Sequence, residues 1–538
     1  MEQRNIENLD HQAEIHQDVK LQNEHHQDEI HPTLVAAFDG KKESQMLTKV
    51  RSNFSFFGGI SLIFGSFFTL FFYKAGIGIN VFAFTLLMLF LLSIIMKLLS
   101  CPMKLGTKLY YVGAALLGLS TAFTSSEILQ FLNFIGILLL LNISMLHQFY
   151  EDTTWDISKY IFRMIGLLFQ SIASIGLPFV DCFHYMKHTK VFKHDKTRNI
   201  FVGLLISVPF LFLVTALLAS ADLLFGRMTK KMLDTIFSAD IIGIIFMIAF
   251  GFLACYCILC GAVSKVGLPE KKQVTKADAS IAITFMTILL LVYAIFCGIQ
   301  ITYLFANGVF VLPEEFTFAQ YARRGFFELL TVTVINVLLI LICKAFFKES
   351  KVLRIVITAI TGCTYIMIAS ATYRMLLYIG AYHLTFLRLF VLLSLLIFTL
   401  VLTGILIAEY KKGFPLFSYC VFVVSICYIL FSLGKPDYFI ASYMARQIDV
   451  FNKVDIRYMV YDLSLDAAPI VVPLLSEENR LEVGITNFEH DSGKADTSVD
   501  LRKQYYKKIY EEVGEREMKD FNLCVHLAYS VAKEYPLP

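Results

Sequence analysis

Charge is scarce in this chain. Asp, Glu, Lys and Arg make up 17% of its 538 residues, against about 25% in a water-soluble domain, and that shortage excludes a conventional soluble core. The net charge is only +3, too small and too dispersed for a nucleic-acid surface. No H-E-x-x-H helix and no Ser/His/Asp arrangement marks a hydrolytic centre. No clear inverted repeat marks a transporter, and no carboxylate falls near the middle of an apolar run, where proton coupling would need one. The first apolar run begins near Phe54, behind a long charged tail, which argues against a cleavable signal peptide.

What is present is apolar length. Hydrophobic residues make up 57% of the chain and phenylalanine alone supplies 50 positions. A helix of about 20 apolar residues crosses the ~30 Å hydrocarbon core and satisfies its own backbone there. The runs that meet this requirement are 54–73, 77–96, 107–123, 128–147, 199–221, 240–263, 279–305, 326–346, 354–380, 384–408 and 414–433. The fold class is therefore all-α: a polytopic transmembrane helix bundle of about 11 spans at 53–435, preceded by a disordered His-rich cytoplasmic tail at 1–52. It is followed by a small α-helical extracytoplasmic domain at 436–538.

The connections set the orientation. With a cytoplasmic amino terminus, 24 Lys/Arg near the spans fall inside and eight fall outside: Lys74, Arg227, Lys230, Lys231, Arg323, Arg324, Lys435 and Arg446. This is the positive-inside asymmetry of a multi-pass cell-membrane protein with an extracytoplasmic carboxyl terminus. Residues 157–180 are apolar but carry Lys159, Arg163, Gln170 and Pro178. If they crossed, the basic loop from Lys187 to Arg198 would move outside, so they read as an amphipathic or re-entrant helix.

Ten of the eleven cysteines lie in or beside spans, which argues against a disulfide framework. Cys255, Cys257 and Cys260 share one helix, but a metal there would need a fourth ligand and charge compensation in lipid, and no metal or cofactor is expected. The hexapeptides His11–His16 and His26–His31 repeat fifteen residues apart and read as part of a polar tail.

Four passages carry a resemblance. They are Ala219-Ser220-Ala221-Asp222; Tyr321-Ala322-Arg323-Arg324-Gly325-Phe326-Phe327-Glu328-Leu329; Tyr373-Arg374-Met375 with Tyr378, Tyr382-His383-Leu384-Thr385 and Arg388; and Pro436-Asp437 with Ile440-Ala441 and Tyr443, followed by Leu463-Ser464-Leu465-Asp466-Ala467 and Pro469. Over roughly residues 100–475 the chain resembles polytopic bacterial membrane proteins grouped as a domain of unknown function, 4153/4173. His383 stands where glycine is usual in that group, and Met444 where asparagine is usual. The resemblance implies fold and location and carries no activity.

The topology brings these passages to one membrane face. Asp222 closes an outward-going span, Glu328 opens an inward-going one, and Arg374 and Tyr378 sit i, i+4 near the outer end of their span. Arg388 starts the next span, and Asp437 follows the last. Charges at membrane depth cost roughly 2.5–3.5 kcal/mol each and seek partners. Glu328 and Asp437 are therefore expected to neutralise Arg374 and Arg388, with Arg323 and Arg324 beside them. Arginine forks suit phosphate or carboxylate, and Tyr378 and Tyr382 would line such a pocket. These nine residues are the candidate ligand-binding set; no catalytic residue is assigned.

Three functions compete. The leading one is envelope-associated sensing or scaffolding through the outer cluster, and the second is transport or binding of an anionic lipid or small solute. The third is an enzyme acting on a lipid-linked substrate. The corresponding partners are the bilayer, an anionic lipid or lipid-linked phosphate, and another envelope protein. Asn142, Gln300 and Asn336 are lone amides within spans and read as interhelical hydrogen bonds. Sidedness is checked by a reporter enzyme fused behind Pro538: activity is expected only outside the cytosol, and activity confined to the cytosol refutes the assigned orientation.

Overall fold

A computed structural model describes residues 44–152, 155–188, 207, 211, 214, 215, 218, 222–236, 239–268, 276–305, 325–447, 453–476 and 498–536. Among them the α-helices are α1 (Gln45–Ser52), α2 (Phe54–Phe72), α3 (Ile79–Leu98), α4 (Leu105–Phe123), α5 (Glu127–Phe149), α6 (Ile157–Ala173), α7 (Leu177–His188), α8 (Leu223–Ile236), α9 (Ala239–Val263) and α10 (Ala279–Phe305). They continue with α11 (Phe326–Phe346), α12 (Lys351–Tyr382), α13 (Phe386–Tyr410), α14 (Leu416–Leu433), α15 (Pro436–Ala445), α16 (Lys453–Tyr461), α17 (Ala468–Ser476), α18 (Ser498–Gly514) and α19 (Leu523–Glu534). Among the described residues, β-type pairing is limited to an isolated parallel bridge between Ala277 and Phe347.

Nine described helices are long and apolar enough to cross a membrane, or up to eleven if each of two bent pairs is one span. Only 17–50% of each apolar window is buried within the protein. The remaining apolar surface faces outward, as lipid requires and water would not tolerate. The helix α4 is not among the nine: Lys108, Tyr110, Tyr111 and three glycines dilute its apolar content. The expected span at 199–221 lies almost wholly outside the described residues, as do the two His hexapeptides. At 157–180 the chain forms α6 and α7, bent by 48° at the break between them, the shape of a broken span or re-entrant loop. The second bent pair, Asp455–Tyr461 with Leu465–Ser476, turns through 117° and falls in the region read as a separate domain.

The chain divides into two compact units. The first comprises residues 1–62, 167–238 and 252–272, and the second 63–166, 239–251 and 273–538. In the first, the buried carboxylate of Asp181 on α7 accepts from Arg51 Nε at 3.0 Å and from Tyr256 Oη at 2.9 Å. Ser264 Oγ donates to Gln170 Oε1 at 3.0 Å, and Cys257 Sγ to the Ser174 carbonyl at 3.7 Å.

In the second unit the helix ends sort into two sets. At one, Lys344 and Arg354 meet Glu409 at 2.8 and 3.6 Å, while Lys104 Nζ donates to the carbonyls of His147 and Tyr150 at 2.6 and 2.8 Å. At the other, the turns after α2, α4 and α12 all meet the carboxyl-terminal helices. Ile79 N donates to the Phe521 carbonyl at 2.8 Å, an approach so close that a Cβ on Gly78 would strike the carbonyl oxygens of Asp520 and Phe521. Asn522 Nδ2 donates to the Thr124 carbonyl at 2.7 Å, and Phe386 N donates to Tyr458 Oη at 3.0 Å. Since α4 is flanked by Lys104 at one end and Thr124 at the other, it joins the two ends as its more apolar neighbours do. The buried apolar side chains of α10 to α13 and of α15 to α19 form one continuous core.

The turn after α12 is strained. His383 has φ 61° and ψ 179°, a region that glycine alone enters without penalty. It is held there by Gln447, 2.9 Å from its Nδ1, and Asp455, 3.4 Å from its Nε2. Arg388 Nη1 donates to the Tyr382 and His383 carbonyls. His383→Ala keeps the strain and loses the ring contacts, whereas His383→Gly loses the contacts and releases the strain. The glycine variant is expected to be more stable than the alanine variant by about 1–3 kcal/mol, read from thermal unfolding in detergent.

Candidate functional site

The expected outer-face residues separate into distinct settings. Arg323 and Arg324 lie outside the described residues. Asp222 belongs to the first unit, is exposed, and caps α8 by accepting from Phe225 N at 2.7 Å. The other six belong to the second unit. Glu328 is exposed in the first turn of α11, where a carboxylate complements the helix dipole. Arg374 Nη2 donates to Gln300 Oε1 at 3.2 Å, an oxygen that also accepts from Ser370 Oγ at 2.6 Å.

Arg388, Tyr378 and Tyr382 do come together. The Arg388 guanidinium lies 4.2 Å from the centre of the Tyr378 ring, and the two tyrosine rings are 5.1 Å apart. Because Arg388 also donates to the two turn carbonyls, the group works as a clasp on the end of α12, with a cation–π contact behind it. Among the described residues, Asp437 pairs with neither Arg374 nor Arg388. The expected pairing of Asp437 with an arginine is replaced by a different arrangement.

Asp437 sits in the first turn of α15, 3% exposed, and accepts from Ser464 N at 3.1 Å. Its near neighbour is a second acid, Asp466, also 3% exposed. Asp466 Oδ2 accepts from Thr124 Oγ1 at 2.6 Å, and its Oδ1 accepts from Ser125 N and Ser125 Oγ, both at 2.7 Å. Both carboxylate oxygens are thus satisfied by the turn between α4 and α5. From α18, Lys508 Nζ donates to the Leu463 carbonyl at 3.0 Å, within electrostatic reach of Asp437. Tyr505, fully buried on the same helix, places a hydroxyl with no hydrogen-bond partner among the described residues within reach of both acids. Beside them Lys435 Nζ lies 3.1 Å from Cys524 Sγ, which in turn lies 2.7 Å from the Phe123 carbonyl. A groove of about 420 Å³ lined by Tyr461, Gln504, Lys507, Lys508 and Glu511 opens beside Lys508.

Burial dominates the electrostatics. It raises the Asp437 carboxyl above its ordinary value, against the opposing hydrogen bonds from Ser464 and Ser126, and the neighbouring charge of Asp466 adds to the rise. It lowers the Lys508 ammonium despite Glu512, Asp437, Asp462 and Glu127, and pushes the Cys524 thiol up to about 12. Every one of these directions favours the neutral form, as desolvation requires. Asp466 accepts three hydrogen bonds from the turn after α4, and the burial-raised carboxyl of Asp437 is shifted toward holding a proton. A thiol raised so far is a poor nucleophile. Among the described residues no three of His, Cys, Asp and Glu gather as metal ligands.

The residues singled out from sequence therefore include Asp437 and omit Asp466, Lys508 and Tyr505. Asp466 was visible in the motif Leu463-Ser464-Leu465-Asp466-Ala467. Nothing in α18 marked Lys508 or Tyr505, because exposed and buried members of a mixed helix look alike without their partners. A model of the family described as a domain of unknown function (DUF4153) matches residues 111–474, which takes in Asp437 and Asp466 and stops short of α18. No curated protein and no solved structure matches the chain.

The raised carboxyl of Asp437 sets a sign for pH dependence. An acid whose folded pKa exceeds its unfolded value contributes fully below the unfolded pKa, and its contribution is lost as pH rises through the folded pKa. Asp437→Asn, neutral at every pH, is expected to flatten the fall in unfolding temperature of the carboxyl-terminal helices across that window. An unchanged slope would show that Asp437 is not the titrating group.

Proposed function

The chain belongs to the DUF4153 family, a domain of unknown function matched over more than half its length, and on that premise we propose that this integral membrane protein senses or scaffolds at the cell envelope. The observation that supports this reading is the latch that Asp466 forms on the turn after α4, together with the contacts of Phe521 and Tyr458 to the turns after α2 and α12. A helical cap tied to several turns at once would transmit a change in its own surroundings to each of them. In this reading the cap, residues 436–538, lies outside the cytoplasm. The basic residues at the opposite helix ends, among them Lys104, Lys344, Arg354, Lys411 and Lys412, favour that orientation.

Transport is less well supported by the polar groups of the spans. Asn336 accepts from Tyr293 Oη at 2.7 Å and donates to Thr364 Oγ1 at 2.9 Å, and Gln300 serves Ser370 and Arg374. Amides committed to neighbouring helices do not line a passage.

Asp466→Ala leaves three donors of the 124–125 turn without their acceptor; leaving a buried donor unsatisfied costs about 1–3 kcal/mol. The variant is expected to reach the membrane at normal levels, with faster amide exchange in α18 and α19, and to fail to restore whatever envelope defect deletion of the chain causes. Full restoration despite loosened helices would refute the proposed role of the latch.

A further inference from the structure

The first unit contains a helix that the latch does not involve. Along α8, Leu224, Phe225, Met228 and Met232 fall within an arc of about 100° at helical spacing. They are 73%, 41%, 74% and 66% exposed. Arg227, Lys230 and Lys231 occupy the adjoining arc, against one acid, Asp234, and all three basic residues are exposed. A stripe of large apolar side chains is thus exposed beside the exposed Arg227 and Lys230.

Chain connectivity limits what can cover them. Ile236 ends α8 only three positions before Ala239, the first residue of α9, whose segment Asp240–Val263 is apolar enough to cross the membrane. The carboxyl end of α8 is therefore separated from the start of an apolar, span-length segment by only two residues. A helix so tethered, with an apolar arc and a basic edge, has the composition of one that lies in the headgroup–acyl boundary. Its charge complements the phosphate groups of an anionic leaflet.

We infer that α8 is an interfacial membrane anchor, with Leu224, Met228 and Met232 in the acyl region and Arg227 and Lys230 on the phosphates of anionic phospholipids. The full chain in phospholipid nanodiscs tests it by tryptophan fluorescence, with Trp155, the single native tryptophan, as baseline. In Met228→Trp, lipids brominated near the glycerol end of the acyl chain are expected to quench the added fluorescence strongly and aqueous iodide weakly. Lys230→Trp should give the reverse, and Leu224→Trp can replace Met228→Trp if that variant is poorly folded. Competition between brominated phosphatidylglycerol and brominated phosphatidylcholine measures lipid preference. Arg227→Gln and Lys230→Gln, each read at a Met228→Trp probe, should lower the preference for phosphatidylglycerol about five-fold apiece. Iodide quenching at position 228 equal to that at 230 would place the helix in water, and shielding of position 228 from both quenchers would mean that protein covers it. Equal affinity for the two lipids would remove the anionic partner. Any of these results overturns the inference.

Discussion

Asp466 joins segments more than three hundred positions apart in the chain, and the carboxyl-terminal end of the second unit is organised around that contact. Its oxygens accept three hydrogen bonds from Thr124 and Ser125, so a turn that would otherwise leave donors buried is completed by a residue contributed after the last span. A buried carboxylate is tolerated only when hydrogen bonds replace the water it has lost. Once Asp466 is fixed, the rest follows from proximity. Ser464 is brought to Asp437, Asn522 to the carbonyl of Thr124, and Lys508 to the carbonyl of Leu463. Asp437, left with fewer donors beside a charged neighbour, takes the burden of desolvation as a raised pKa.

The strained turn at His383 is a second constraint within the same unit. An L residue in a conformation that suits glycine costs of order 1–3 kcal/mol and persists only when its surroundings hold it. Here Gln447 and Asp455 hold the ring, and Arg388 holds the carbonyl. The arginine assigned from sequence to a ligand is thereby engaged in shaping the turn. Tyr458 links the two regions: its hydroxyl accepts from Phe386 N, and it lies within electrostatic reach of both Asp437 and Arg388. The clasp and the acid pair are adjoining parts of one polar seam within the second unit.

The spans were legible in the sequence because lipid forces a single-segment solution: a helix in hydrocarbon satisfies its own backbone, so length and apolarity suffice to find it. The lone amides were legible for a similar reason, since an amide in a span seeks a neighbouring helix, and Gln300 and Asn336 do so. What the sequence hid was partnership. Asp437 was paired on paper with arginines at the same presumed depth, but its true neighbours are a backbone amide 27 positions away and an acid in the following turn. Depth along the membrane normal is one coordinate, and choosing partners needs the other two. The pattern after Pro436 gave no stronger guide, because Lys508 and Tyr505 lie on a helix whose two faces both carry polar residues.

The distribution of polar groups bears on what such a molecule is suited to do. Along the spans of the second unit, Gln300 and Asn336 are committed to neighbouring helices, and many hydroxyls, among them Thr85, Thr333, Thr361 and Ser394, donate to carbonyls one turn back in their own helix, which leaves few polar groups to replace a solute's hydration. At the seam beneath the carboxyl-terminal helices the balance differs. The buried Tyr505 hydroxyl is unmatched among the described residues, Asp437 is shifted toward protonation, and Lys508 is shifted toward neutrality beside an open groove. Groups held away from their preferred charge respond to small changes around them, because any movement that admits water reverses the desolvation that shifted them. In the proposed sensing reading, a seam of that kind, tied to several turns at the ends of spans, would couple hydration of the carboxyl-terminal helices to the arrangement of the spans. That coupling is the physical basis on which the sensing reading rests.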